Sequence, residues 1–195
     1  MKIDTATIQQ FREMTGAGIM DAKKALEESG GDVGKAIEYL KKQGQKVAAK
    51  KQERETKEGF IGSYVHTNGK VATLVALACE SDFVANTDDF HQLAHDLAMQ
   101  VAATDPQYVS PNEIPEDVIA KEREIFEEQL KKENRPEKIW EKIITGKLKK
   151  FYEESCLLKQ PFIKEDKKTI EQLVNEKVLK LGENIQIKEI KRVVL

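Results

Sequence analysis

Over the first 45 residues the apolar side chains recur every three or four positions, the period of an amphipathic helix. Ile8, Phe11 and Met14 follow the capping candidates Asp4 and Thr5, and this helix should stop at Thr15-Gly16-Ala17-Gly18. A second helix is predicted from Ile19 to about Glu28, with Met20, Ala22, Ala25 and Leu26 as its apolar positions. Ser29-Gly30-Gly31 breaks it and Asp32 is a good N-cap. Val33, Ala36, Ile37 and Leu40 then mark a third helix, which Gly44 should end. Three short helices leave only a thin core, and such modules more often dock than catalyse.

The period then changes. Residues 46–58 hold almost no large apolar side chain and read as a solvated, charged linker, either helical or irregular. Phe60 to His66 and Lys70 to Cys79 are β-prone runs joined by Thr67-Asn68-Gly69, the signature of a hairpin with a type I′ turn. Val71 to Cys79 is apolar apart from Thr73, so it should be a central strand covered on both faces. Glu80 to Thr87 must leave that strand and enter a helix, marked by Phe90, Leu93, Ala94, Leu97, Ala98 and Val101. Beyond a loop containing Pro106, Pro111 and Pro115, helices of about Glu116 to Glu133 and Glu137 to Glu153 flank Asn134-Arg135-Pro136 and should pair as an antiparallel hairpin. Gln160-Pro161-Phe162 is a further break, and Ile170, Leu173 and Val174 predict one more helix. Ile185-Gln186-Ile187, after Gly182, predicts a last strand that returns to the sheet. The expected class is α+β: a three-helix module at 1–45, a linker at 46–58, and a core at 59–195 carrying a helical hairpin at about 116–153.

Composition narrows the class without naming a function. The 195 residues are 39% hydrophobic and 34% charged, a globular and charge-rich chain. The longest apolar run, Val71 to Cys79, is about half of the roughly 18 residues that span a bilayer. The start Met1-Lys2-Ile3-Asp4 carries no apolar leader, so a soluble, cytoplasmic protein with no membrane partner is expected. Cys79 and Cys156 are far apart and fit no metal-ligand spacing; free buried thiols are expected. The net charge of −2 conceals an uneven distribution: +2 over residues 1–58, −8 over 59–119 and +4 over 120–195. Lys46, Lys50, Lys51 and Arg54 cluster without interleaved aromatics, a weak pattern for nucleic acid, and no direct nucleic-acid partner is expected.

Candidate catalytic patterns fail one by one. Gly16-Ala17-Gly18 lacks the third glycine of a dinucleotide loop and follows a helix instead of a strand. Gly34-Lys35 lacks the first glycine of a phosphate loop, and Ala36 replaces its hydroxyl residue. His91 and His95 have zinc-pair spacing, but Gln92 replaces the acid of that motif and no third ligand is indicated, so they are read as solvent-facing. No Ser, His and Asp set has a nucleophile context. A non-enzymatic protein without metal or cofactor, acting through partner contacts, is the expectation.

Met14-Thr15-Gly16-Ala17-Gly18-Ile19-Met20-Asp21-Ala22-Lys23-Lys24-Ala25-Leu26, with Gly31-Asp32 and Ala36-Ile37, closely resembles the N-terminal domain of the bacterial elongation factor Ts family. Glu80-Ser81-Asp82-Phe83-Val84-Ala85 resembles that family's Thr-Asp-Phe-Val motif, with Ser for Thr. Gly146-Lys147-Leu148, Lys150-Phe151, Gln160-Pro161-Phe162 and Lys180-Leu181-Gly182-Glu183-Asn184-Ile185 match the same family in the same order. The resemblance implies a guanine-nucleotide exchange factor that binds elongation factor Tu and ejects GDP. It implies that a module similar to a ubiquitin-associated domain docks on a helix of the partner's G domain through Ile19, Met20 and Lys23. It also implies that Ser81, Asp82, Phe83 and Val84 act near the partner's magnesium site, and that Leu181-Gly182 lies against its phosphate-binding loop. One Asp-Phe motif and one Gly-Glu-Asn-Ile phrase are present, where longer members carry a second core subdomain, so a homodimer is expected. Phe83 should be exposed, and of Ile19 and Met20 one should be core and one contact. The competing reading is an adaptor whose three-helix module binds helical or ubiquitin-like partners, and dependence on Asp82-Phe83 separates the two.

Overall fold

A computed structural model describes residues 3–195; Met1 and Lys2, named above for the absence of an apolar leader, lie outside the described residues. Helices α1 (Thr5–Thr15), α2 (Ile19–Glu28) and α3 (Val33–Lys51) come first. The Asp4 carboxylate accepts from the Thr7 amide at 2.6 Å and starts α1, and Asp32 starts α3 in the same way through Lys35. Phe11, Ala22, Ala25, Leu26 and Ala36 form the small core of this module, with Ile8, Ile37 and Leu40 at its rim.

Helix α3 does not stop at Gly44. It runs to Lys51, and the connection to the sheet shrinks to residues 52–57. Ala48, Ala49 and the flanking lysines are strong helix formers, while Val47 and Ala48 pack against the main core. Gly44 is buried because α3 crosses a later helix there: a Cβ would sit 3.3 Å from the Asn175 carbonyl oxygen. The glycine permits a close crossing instead of ending the helix.

Strands β1 (Glu58–Val65) and β2 (Val71–Cys79) form the expected hairpin, but the turn is not type I′. Only Gly69 has positive φ, +68°, whereas a type I′ turn needs two such residues. Thr67 and Asn68 make the turn, closed by the Gly69 amide donating to the His66 carbonyl, and the Asn68 side chain accepts from the Lys70 amide. The short helix α4 (Asp82–Ala85), the long α5 (Asp88–Thr104) and the hairpin α6 (Glu116–Lys132) and α7 (Trp140–Ser155) follow. A small pair, β3 (Pro161–Phe162) with β4 (Glu165–Thr169), occupies a stretch read as a break. It is held by the buried Gln100 of α5, whose amide nitrogen donates to the Pro161 carbonyl and whose oxygen accepts from the Ile163 amide. Helix α8 (Ile170–Leu181) and strand β5 (Gln186–Val194) close the chain.

The three-stranded antiparallel sheet has the order β1-β2-β5, so the last strand returns to the sheet and β2 is central. Eight α-helices and this sheet, among the described residues, make an α+β protein. Helix α5 covers one sheet face: Phe90, Leu93, Leu97 and Val101 meet Val75 and Leu77, and Ile170, Val174 and Val178 of α8 complete the core. The other face is open. Leu74 is 50% exposed, so the largely apolar strand β2 is covered on one face only.

Candidate functional site

Helix α4 is a single turn that converts the end of β2 into the start of α5. Ser81 caps it with extended backbone, its hydroxyl accepting from the Val84 amide. At its other end the Asn86 side chain donates to the Asp82 carbonyl at 2.8 Å, and Thr87 caps α5. Four residues on one helical turn must point in different directions. Asp82 and Phe83 face out, the Phe83 ring 81% exposed, while Val84 and Ala85 face the core. Val84 was expected at the partner surface; at 4% exposure it anchors the corner from beneath.

An exposed phenyl ring on so short an element needs an external scaffold, and residues 182–184 supply it. Gly182, at φ +77°, ends α8 and turns the chain toward β5. The next residue, Glu183, then sends its carboxylate under α4. One Glu183 oxygen accepts from the Glu80 and Ser81 amides, both at 3.0 Å, and the other accepts from the Ser81 hydroxyl at 2.6 Å. In return the Glu80 carboxylate accepts from the Asn184 amide at 2.6 Å and pairs with Arg54 at 3.4 Å. The buried Asn184 side chain donates to the Arg54 carbonyl, and Lys51 donates to the Gly182 carbonyl. Beneath the corner the Cys79 thiol donates to the Ser81 carbonyl at 3.2 Å. Burial, with the Glu183 carboxylate nearby, pushes that thiol up to about 11, so it stays protonated and inert. Burial raises Cys156 as well, and both cysteines are free.

Two of the three sequence-identified patches are therefore joined: Ser81-Asp82-Phe83 and Leu181-Gly182 sit on opposite sides of one carboxylate. Leu181 packs partly against the core and Gly182 is exposed beside it. The third patch lies on α2. Both Ile19 and Met20 are exposed, at 59% and 74%, so neither is core. The buried face of α2 is set by Ala22, Ala25 and Leu26, and its first turn overhangs that face. Met14 adds a third exposed apolar side chain at 60%, and Lys23 borders the patch in an exposed pair with Glu27 at 3.8 Å. A cleft of about 370 Å³ separates module from core, with Met14, Gly16 and Leu40 on one wall and Lys168, Lys177 and Lys180 on the other.

No group of three or more His, Cys, Asp or Glu residues among the described residues is arranged to hold a metal ion. The two histidines of α5 are not simply solvent-facing. His91 stacks on Phe60 with ring centroids 4.0 Å apart, and His95 lies 3.2 Å from the Ser63 carbonyl oxygen and edge-on to Tyr64. Among the described residues no helix is long and apolar enough to cross a membrane. Sequence reasoning missed Arg54, Glu80, Glu183 and Asn184 as parts of the site; the phrase around Gly182 was noticed, but partners more than 100 residues away leave no local signal.

The chain thus presents an exposed ring on a hydrogen-bonded turn and, on α2, an exposed apolar first turn. A sequence model described as Elongation factor TS matches residues 5–195. Proteins named Elongation factor Ts are similar over nearly their full length. That of Moorella thermoacetica is 51% identical, covering 97% of this chain and 94% of its own. That of Thermodesulfovibrio yellowstonii is 52% identical over 98% of this chain and 96% of its own, and that of Thermotoga neapolitana 50% over the same shares. The chain belongs to the elongation factor Ts family.

Proposed function

We propose that this protein is the guanine-nucleotide exchange factor for elongation factor Tu in translation elongation, a promoter of GDP release that makes or breaks no covalent bond. Family membership supports the elongation role. The observation that carries the mechanism is Phe83, held 81% exposed on a capped and cross-braced turn beside Leu181-Gly182. Phe83, with Asp82, enters the G domain near the magnesium site, while Leu181-Gly182 presses on the phosphate-binding loop. Ile19, Met20 and Lys23 hold the G-domain helix.

Magnitudes require all three. Loosening a nucleotide a thousandfold takes about 4 kcal/mol, and burying one Phe side chain contributes about 1.5–3 kcal/mol. Phe83 alone is insufficient, so the phosphate-loop contact and the docking energy of α2 supply the difference. Coupling is reciprocal: GDP weakens the factor by the same factor by which the factor weakens GDP.

The same reading includes a homodimer formed through the open sheet face. Strand register places Ile61, Val65, Leu74 and Val193 on that face, and their exposures are 57%, 64%, 50% and 64%. A second copy presents the same apolar strip, which fits a twofold, self-complementary contact.

The test is release of a fluorescent GDP analogue from elongation factor Tu, chased with excess GDP, with and without catalytic amounts of the protein. Acceleration that falls at least tenfold in Phe83→Ala supports the reading. No acceleration by folded wild-type protein leaves the adaptor alternative.

A further inference from the structure

We infer that Glu183 is a positioning residue for the exchange reaction: it locks the Phe83 turn and the Leu181-Gly182 turn into one rigid two-pronged edge. The inference rests on the exchange reading above. Three observations carry it. The Glu183 carboxylate accepts three hydrogen bonds from the root of α4, two from the backbone amides of Glu80 and Ser81 and one from the Ser81 hydroxyl, at 2.6–3.0 Å. Glu183 directly follows Gly182, whose φ of +77° fixes how the carboxylate leaves α8. The bracing is reciprocal, because the Glu80 carboxylate accepts from the Asn184 amide. The two prongs are therefore tied by four hydrogen bonds between residues 80–81 and 183–184.

Rigidity matters here because the ring has little else to hold it. Phe83 is 81% exposed, and α4 is four residues long, too short to be stable by its own backbone bonds. A mobile turn would have to be ordered during the step that ejects nucleotide, and that ordering would subtract from the coupling available. A pre-ordered turn avoids that loss. Glu183 itself is only partly exposed and aims inward under the corner, so it acts through Phe83. Ser81 explains how the family's Thr is replaced: the hydroxyl that both donates to Glu183 and accepts from Val84 is present in either residue.

The role depends on hydrogen-bond geometry more than on charge, which separates two substitutions. Glu183→Ala removes every acceptor. Glu183→Gln can turn its amide oxygen to the two N–H groups and donate from its nitrogen to the Ser81 hydroxyl. The experiment measures GDP release from elongation factor Tu over a range of factor concentrations, alongside hydrogen exchange of backbone amides in the free protein. Glu183→Ala should lower the saturating release rate about tenfold, equivalent to about 1.4 kcal/mol, with the half-saturating concentration changed less than threefold. Glu183→Gln should stay within threefold of wild type. In a Phe83→Ala background, Glu183→Ala should cost less than threefold further, since the ring is already gone and only the Leu181-Gly182 side of the edge is left for the carboxylate to hold. Exchange at the Glu80 and Ser81 amides should quicken at least tenfold in Glu183→Ala, with the Val75 and Leu77 amides of β2 unchanged. An unchanged saturating rate, or an undiminished effect in the Phe83→Ala background, overturns the inference. If Glu183→Ala does not fold, Glu183→Asp, one methylene too short to reach both amides, is held to the same two outcomes. Wild-type protein that fails to accelerate release overturns the exchange reading, and with it the role, whereas amide exchange reports the bracing separately.

Discussion

Phe83 and Val84 are neighbours with opposite exposures, 81% and 4%, and the difference lies in one step of about 100° around α4. Truncating each should therefore do opposite things. Val84→Ala opens space under the corner and should cost about 1–2 kcal/mol in a urea melt, with the saturating exchange rate lowered only as far as the turn is loosened. Phe83→Ala should leave the melt within about 0.5 kcal/mol, as exposed substitutions do. Ile19 and Met20 are the third case. Both are exposed, so Ile19→Ala with Met20→Ala should leave stability within about 0.5 kcal/mol while raising the half-saturating concentration for exchange at least fivefold. An unchanged concentration dependence would remove α2 from the docking surface. Residue identity made Phe83 legible in the sequence because the Asp-Phe phrase is distinctive, but its neighbour's burial was not. Only the direction of a four-residue helix against the sheet decides that, and so short a helix has no period to read.

At the scale of elements, helical and strand periods located all the long elements, and what they missed has a tertiary cause. Gly44 reads as a stop because glycine weakens helices, yet it lies under the α8 crossing, where backbones approach too closely for a larger side chain. Gly44→Leu should thus cost about 1–3 kcal/mol by overpacking, measured as a lower denaturant midpoint with unchanged helix content by circular dichroism at low denaturant. The same long-range origin applies to Asp89, on the first turn of α5. It pairs with Lys177 at 2.6 Å and Lys180 at 2.7 Å, tying α5 to the end of α8. Their hydrogen bonds hold its carboxyl below the usual 3.8. A carboxyl with a lowered folded-state pKa adds stability that is present above its unfolded value and lost as pH falls through the folded one. Wild type should accordingly exceed Asp89→Asn by about 0.5–1 kcal/mol from neutral pH down to about 5, as befits a partly exposed pair. The gap should close progressively below about pH 4; a gap that persisted at pH 2 would show that packing, not charge, is responsible.

Seen whole, the molecule has two cores and an uncovered sheet face, and the sequence alone revealed the first more readily than the second. The small core of α1–α3 and the large core under the sheet follow from periodicity, whereas the open face of β2 does not, since a nine-residue strand that is apolar except at Thr73 predicts cover on both sides. That face is the part of the proposed function which a variant tests most directly. Three strands about 4.8 Å apart, with residues every 3.3 Å or so, offer a few hundred Å², less than the roughly 800 Å² per partner of a standard interface. Dimerisation through the sheet alone should therefore depend on concentration in the micromolar range. Leu74 lies at the centre of the strip, opposite Ser63 on β1 and Lys191 on β5. Leu74→Glu places a carboxylate beside Lys191 within the protomer, so the fold should survive, but two such carboxylates would face each other across a twofold axis. Sedimentation velocity should show wild type shifting from monomer to dimer as concentration rises, and Leu74→Glu remaining monomeric throughout. If the dimer completes the exchange surface, the variant should also lose saturating exchange activity; full activity in a strict monomer would mean that one copy, with Phe83, Leu181-Gly182 and α2 on a single chain, is the functional unit.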